Sequence, residues 1–279
     1  MSGGTMGAPH TGQEKDTGML LVIDVGNTNT VMGVYDNDRL VTHWRLGTSQ
    51  HRTSDEYGVL VQGLCAQRRI DAKAIHHVAI SCVVPSQLFS LTEVSHVYFD
   101  CQPLIVDHTT AGIPILTDRP EEVGADRLVN AVAAYDKFRR DVIVVDLGTA
   151  TTFDAVSAAG AYLGGAISPG ITISIEALAQ HASKLSRVEF ANPGTVIGKH
   201  TIHAMQSGMY FGYVGLVDAI VERMRAEMGG DPLIVATGGL APLIAEASTT
   251  VQKVEPYLTL EGLKVIFDQH AARHQQVRT

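Results

Sequence analysis

The sequence predicts an α/β protein assembled from two related halves, with a phosphate-bearing ligand held where the halves meet. Three observations predict it. The stretch Asp24-Val25-Gly26-Asn27-Thr28-Asn29-Thr30 is matched by a second, Asp146-Leu147-Gly148-Thr149-Ala150-Thr151-Thr152, with its Asp, Gly and final Thr in register. Each copy follows a short apolar run, Met19 to Ile23 and Val142 to Val145, of the kind that forms a buried strand. Strand-like and helix-like segments then alternate along the chain.

One Asp-x-Gly corner is usually a plain turn, but two copies after matched strands argue for shared chemistry. Glycine has no Cβ, so backbone N–H groups there can approach an anion, and the Thr and Asn side chains add short donors. The Asp of each copy suits a cation, directly or through water.

Composition bounds the rest. With 279 residues, 45% apolar and 18% charged, the chain can bury a large core. A net charge of −8 argues against a constitutive nucleic-acid surface, which needs a basic excess. Cys65, Cys82 and Cys101 are widely spaced and form no Cys-x-x-Cys, so reduced thiols of a cytoplasmic protein are expected. Residues 1–18, rich in Gly and Thr, lack the pattern of a secretory signal and read as a disordered tail. No segment reaches the roughly 18 apolar residues of a membrane span, so a soluble protein is expected.

In chain order, Val31 to Leu46 continues the first strand as an antiparallel hairpin turning at Asp36-Asn37-Asp38. Thr53 and Glu56 make a capping box that opens a helix. His77 to Val84 reads as a strand, followed from Pro85 by a short helix to about Val94 and a strand at Leu104-Ile105-Val106. Glu121 to Phe138 reads as a helix with an acidic first turn, Asp126 lying beside apolar residues and Asn130. Gly164 to Gly170 reads as a glycine-rich loop before a helix from about Ile173 to Leu185. Gly194 to Thr201 has the wrong glycine spacing for a P-loop and carries His200 where a magnesium-binding Ser or Thr belongs. A long helix from Thr201 to Met228 carries Gly208 and Gly212 at a spacing that permits close helix packing, including between subunits. His200 and His203 read as surface or cap histidines. A last strand, Leu233 to Ala236, ends in Thr237-Gly238-Gly239, and helices from about Ala241 and Leu258 finish the chain.

The two phosphate motifs, Gly124-Ala125-Asp126-Arg127, Gly164 to Gly170, Ile197 to Thr201 and Thr237-Gly238-Gly239, in this order and spacing, resemble the type III pantothenate kinases over about residues 19 to 270. The resemblance implies a duplicated actin-like (ribonuclease H-like) ATPase fold, with half-domains at 19–120 and 121–279 behind the 1–18 tail. It implies phosphorylation of pantothenate by ATP with Mg²⁺, giving 4′-phosphopantothenate in the first step of coenzyme A biosynthesis. Asp24, Val25, Gly26, Asn27, Thr28, Asn29, Thr30 and Val31 would hold the ATP phosphates, with Thr149 reaching them from the second copy and Gly238 and Gly239 bordering the adenine. Asp146 would bind a monovalent cation, K⁺ or NH₄⁺. Gly124, Ala125, Asp126 and Arg127 would form the pantothenate pocket, Asp126 as the base and Arg127 toward the anionic substrate. Thr201 would complete that pocket across a homodimer interface. One position departs from the pattern: Thr117 stands where the family often has a substrate-contacting Tyr.

Phosphoryl transfer asks mainly for positioning and charge neutralisation, which a base and a cation clamp supply. Two other readings compete. A transcriptional accessory role without kinase activity is set against the acidic balance and the absence of a helix-turn-helix pattern. A sugar or acetate kinase of the same fold gives no reason for Gly-Ala-Asp-Arg at this place.

Overall fold

A computed structural model of the chain describes residues 18–182 and 185–277, so the tail expected at 1–18 lies, except for Gly18, outside the described residues. Two five-stranded sheets carry the fold. In the first, β1 (Met19–Val25), β2 (Asn29–Asp36) and β3 (Arg39–Gly47) run antiparallel. On the other side of β1, β4 (Ile75–Cys82) and β5 (Leu104–Ile105) run parallel, giving the order β3-β2-β1-β4-β5. The second sheet repeats this with β6 (Val142–Leu147), β7 (Ala150–Val156), β8 (Tyr162–Pro169), β9 (Leu233–Thr237) and β10 (Lys253–Val254) in the order β8-β7-β6-β9-β10. The two runs of strands and their crossovers have the same topology, which is the duplicated actin-like fold.

Apolar patterning explains the layers. β1 and β6 are the central strands, antiparallel to one neighbour and parallel to the other, and are buried on both faces, so their sequences are nearly continuous aliphatic runs. β3 is an edge strand and alternates exposed and half-buried residues. Helices α1 (Ser54–Gln67) and α2 (Pro85–Phe99) cover the outer face of the first sheet. Helices α4 (Ile171–His181), α5 (Thr201–Met228) and α6 (Ala241–Ala245) cover the outer face of the second. Between the sheets, α3 (Ala125–Phe138) and α7 (Leu258–Val277) pack on one another in a core that also takes Leu20 and Val22 from β1 and Val156 and Tyr162 from the second half. Their close crossing depends on Gly262: a Cβ there would lie 2.2 Å from the carbonyl oxygen of Val129. No helix among the described residues is long and apolar enough to cross a membrane.

The capping box at Thr53 and Glu56 and the span of α5 are as the sequence predicts. His200 caps α5, its ring nitrogen accepting from the His203 backbone N–H. Four local expectations are corrected. The helix after Pro85 runs on to Phe99 rather than stopping near Val94. The helix expected from Glu121 starts at Ala125, because Pro120–Glu122 forms a separate 3₁₀ turn and Val123 and Gly124 are extended. Asp126 therefore sits in the first turn, near the positive end of the helix dipole. The glycine-rich stretch expected as a loop is the strand β8 up to Pro169. Its glycines serve close pairing: a Cβ on Gly165 would fall 1.7 Å from the Phe153 carbonyl oxygen of β7. The following helix accordingly begins at Ile171, earlier than the expected Ile173, and ends at His181.

Candidate active site

Both phosphate motifs form the same corner. Gly26 donates to the Asn29 carbonyl (3.0 Å) to turn β1 into β2, and Gly148 donates to the Ala150 carbonyl (3.1 Å) to turn β6 into β7. Asp24 and Asp146 are each the next-to-last residue of a central strand, so the repeat places them as counterparts on facing sheets. The tips of the turns touch: Thr149 Oγ1 donates to Thr28 Oγ1 at 2.9 Å. Thr48 braces the first turn, its hydroxyl donating to the Gly26 carbonyl (2.8 Å) and its N–H to the Thr28 carbonyl (2.9 Å).

Between the sheets opens a cavity of about 840 Å³, large enough for a nucleotide. Its walls take in Asp24, Gly26, Asn27, Asn29 and Val31 from the first motif. From the rest of the predicted set come Asp126, Asp146, Thr149, Gly238 and Gly239. Val25 and Thr30 are buried behind the turn instead, the Thr30 hydroxyl being 2.9 Å from that of Thr48. Gly124 is the N-cap of α3 and leaves room for the neighbouring carboxylate, since a Cβ there would lie 2.6 Å from Asp126 Oδ1. Ala125 is buried at the start of that helix.

Arg127 and Thr117 form a cluster apart from the cavity wall. The Arg127 guanidinium lies on the fully buried Asp154, Nε at 2.8 Å and Nη2 at 2.7 Å from Oδ1. Tyr162 donates its hydroxyl to the same oxygen at 2.8 Å. Thr117 Oγ1 is buried without a hydrogen-bond partner, and the Thr117 methyl faces Gly164, next to the Gly165 that Arg127 approaches. Thr201, at the start of α5, is exposed and is not part of the cavity wall of its own chain.

Sequence reasoning missed several residues that build the site. Asn130 donates its amide to Asp146 Oδ2 (3.0 Å) and accepts from the Thr259 hydroxyl (2.8 Å), so α3 and α7 together fix the carboxylate. The signal was an amide one helical turn past Asp126 in an otherwise apolar stretch, because a buried amide requires partners. Arg45, Trp44 and His43 of β3, with Tyr257, complete the wall, and the His43 and Tyr257 rings are 4.7 Å apart. These residues come from segments whose patterning shows only an edge strand and a helix start.

The electrostatics are dominated by carboxylates. Burial, and then the neighbouring Asp126 carboxylate, push Asp24 from the ordinary 3.8 up to about 7. The same two causes push Asp146 up to about 7. Burial also raises Asp126, against the pull of the Arg127 backbone N–H, which donates to Oδ1 at 2.8 Å. The site suits a hard cation. Asp24 Oδ1 is buried with no hydrogen-bond partner. At Gly238, which has φ +91°, a Cβ would meet both Asp146 Oδ1 and the Leu147 carbonyl oxygen at 2.7 Å, so the absent side chain leaves two oxygen donors facing one small space. No three His, Cys, Asp or Glu side chains among the described residues gather as a ready-made metal cage. A cation here must therefore complete its shell with backbone, water or phosphate oxygens.

Comparison with known proteins finds relatives along most of the chain. The family model for type III pantothenate kinase matches residues 20–223. A type III pantothenate kinase of Myxococcus xanthus is 55% identical over 255 residues, covering 91% of this chain and 100% of that protein. One from Syntrophus aciditrophicus is 53% identical over 254 residues, with the same coverage. Among solved structures, a Campylobacter jejuni protein described as a Baf family transcriptional activator superposes with a TM-score of 0.58 at 18% identity, covering 90% of this chain and 99% of that one. At that identity it bears on the fold alone.

The raised carboxyls predict a pH dependence. A carboxyl that binds its proton more tightly in the folded state stabilises the ligand-free fold at low pH, and that contribution is lost as pH rises through about 7. Asp24→Asn mimics the protonated form, so its melting temperature should exceed that of the wild type at pH 8, with the gap narrowing as pH falls below about 7 and closing toward the ordinary 3.8. Thermal melts across this range check it, and a gap independent of pH contradicts it.

Proposed function

The chain belongs to the type III pantothenate kinase family, and from that premise we propose how its residues divide the work. The enzyme phosphorylates pantothenate with ATP and a divalent cation, the entry step to coenzyme A. The observation that carries the assignment of roles is the convergence of Asp24, Asp126 and Asp146 on one cavity beneath two matched phosphate turns.

The polyphosphate lies across the two turns. There, Thr28 and Thr149, now bonded to each other, turn their hydroxyls to phosphate oxygens, and the backbone N–H groups about Gly26 and Asn27 add donors. Gly238 and Gly239 border the adenine. Asp24, with its unpartnered buried oxygen, holds the divalent cation of the nucleotide. When bound, that ion neutralises charge on the β- and γ-phosphates. Asp146, held by Asn130, binds K⁺ or NH₄⁺ together with the Leu147 carbonyl.

Asp126 is the general base. Burial lifts its proton affinity toward the working pH, where a base is most effective, and the Arg127 N–H keeps one carboxyl oxygen oriented. Pantothenate lies against Gly124 to Arg127, with Thr117 on the far side of Gly164. Arg127, whose Nε and Nη2 lie on Asp154, stands behind this wall and has its remaining N–H donors for the anionic substrate.

The working unit is a cytoplasmic homodimer. Thr201, Gly208, Gly212 and Gly215 recur at helical spacing on the exposed side of α5, and a Cβ on any of the three glycines would meet nothing within 4 Å. Exposed Val196 and Ile197 precede them. A second copy on this face brings its Thr201 toward a pantothenate pocket that the chain's own Thr201 does not reach. The regulatory reading has no comparable support, since relatives more than half identical are kinases.

Three measurements test these roles. Asp126→Asn should lower kcat by about 10²- to 10⁴-fold with ATP affinity nearly unchanged; a loss under about tenfold removes Asp126 as base. A potassium titration at saturating ATP should activate the wild type and leave Asp146→Ala flat, whereas an unchanged activation curve puts the cation elsewhere. In sedimentation, the wild type should be a dimer and Gly208→Leu/Gly212→Leu a monomer; an intact dimer in the variant moves the interface off α5.

A further inference from the structure

The floor of the cleft presents three carboxylates to a ligand that carries several negative charges of its own. Neither phosphate turn contains a lysine or arginine to offset them. Arg45 is the only arginine or lysine among the described residues lining the cavity. It projects from β3, the edge strand of the first sheet. Its Nη1 nevertheless reaches the second half, where a Cβ on Gly239 would be 3.3 Å away. Its guanidinium makes no hydrogen bond or ion pair among the described residues, and its charge acts on both Asp24 and Asp146, drawing their proton affinity down. An unpaired guanidinium on a cleft wall, between two sheets and above acidic residues, has its donors free for a ligand.

We propose that Arg45 is the phosphate-binding cation of this kinase: it spans the cleft from β3 to Gly239 and binds the terminal phosphates of ATP. The inference deepens the kinase reading above and rests on it. A planar guanidinium can donate two parallel N–H bonds to phosphate oxygens, which a lysine cannot. In the transfer, the acceptor hydroxyl oxygen forms a bond to the γ-phosphorus as the bond from that phosphorus to the β,γ-bridging oxygen breaks. The electron pair stays on the ADP oxygen, and the hydroxyl proton passes to Asp126. Arg45 holds the charge that accumulates on the leaving ADP and, by contacting phosphates from the first half while resting on Gly239 of the second, favours a closed cleft only when a polyphosphate is present.

The test compares wild type, Arg45→Gln and Arg45→Lys by calorimetric titration with Mg·ATP and with AMP, alongside steady-state production of phosphopantothenate. Arg45→Gln should bind Mg·ATP at least about tenfold more weakly while AMP affinity stays within about twofold, and kcat should fall by about 10²-fold. Arg45→Lys should fall between, and added guanidinium should restore part of the Arg45→Gln rate. A merely structural role would weaken ATP and AMP together, and that result overturns the proposal, as does ATP affinity within twofold of wild type. The calorimetry does not need the acceptor. A wild type that makes no phosphopantothenate would defeat the pantothenate reading, while selective loss of ATP over AMP in Arg45→Gln would still support Arg45 as the phosphate cation. Should Arg45→Gln fail to fold, Arg45→Lys alone decides by the same ATP-to-AMP ratio.

Discussion

Three carboxylates, Asp24, Asp126 and Asp146, share one desolvated cleft, where burial raises all three and Asp126 makes it harder still for Asp24 and Asp146 to ionise. Charges in such a place are tolerated only with a compensating cation or donor, because desolvation penalises every ionised group. The local construction answers that constraint. Asn130, itself held by Thr259, satisfies one oxygen of Asp146, Gly238 clears space beside the other, and the Arg127 N–H satisfies one oxygen of Asp126. Asp24 Oδ1 is left without a partner. A site built this way favours its carboxylates ionised when cations arrive, and protonated when they leave.

The duplication makes that convergence possible. Each sheet ends its central strand in the same Asp-x-Gly corner, and the packing of α3 on α7 sets the corners face to face, near enough for Thr28 and Thr149 to touch. That packing has a narrow tolerance at Gly262, where the Val129 carbonyl leaves no room for a side chain. Gly170 plays a like part at the site itself: a Cβ there would lie 2.0 Å from the Thr149 carbonyl oxygen, so α4 starts directly behind the second phosphate turn. Glycine thus governs distance as well as turning, and the spacing of sheets, helices and phosphate turns follows from a few missing side chains.

The sequence exposed much of this because the chemistry repeats. Two copies of one motif after two aliphatic strands identify the sheets, the corners and the carboxylates Asp24 and Asp146. The capping box at Thr53 and the extent of α5 are equally local and equally legible. What stayed hidden depends on distant contacts. Gly165 looks like loop chemistry until Phe153 is seen against it, and Glu121 and Glu122 look like a helix start until the extended Gly124 separates them from α3. Arg45 and Tyr257 reach the cleft only through the way β3 and α7 come together, which no short window reveals. The ion pair of Arg127 with Asp154 links residues far apart in sequence and changes what Arg127 can offer a substrate.

A crystal structure with a non-hydrolysable ATP analogue and pantothenate would test the account most directly. The account predicts the γ-phosphate between Thr28 and Thr149, with the Thr28–Thr149 hydrogen bond replaced by bonds to phosphate, and the pantothenate hydroxyl within hydrogen-bond reach of Asp126. A phosphate chain seated away from both turns, or a hydroxyl facing another group with Asp126 out of reach, would contradict it.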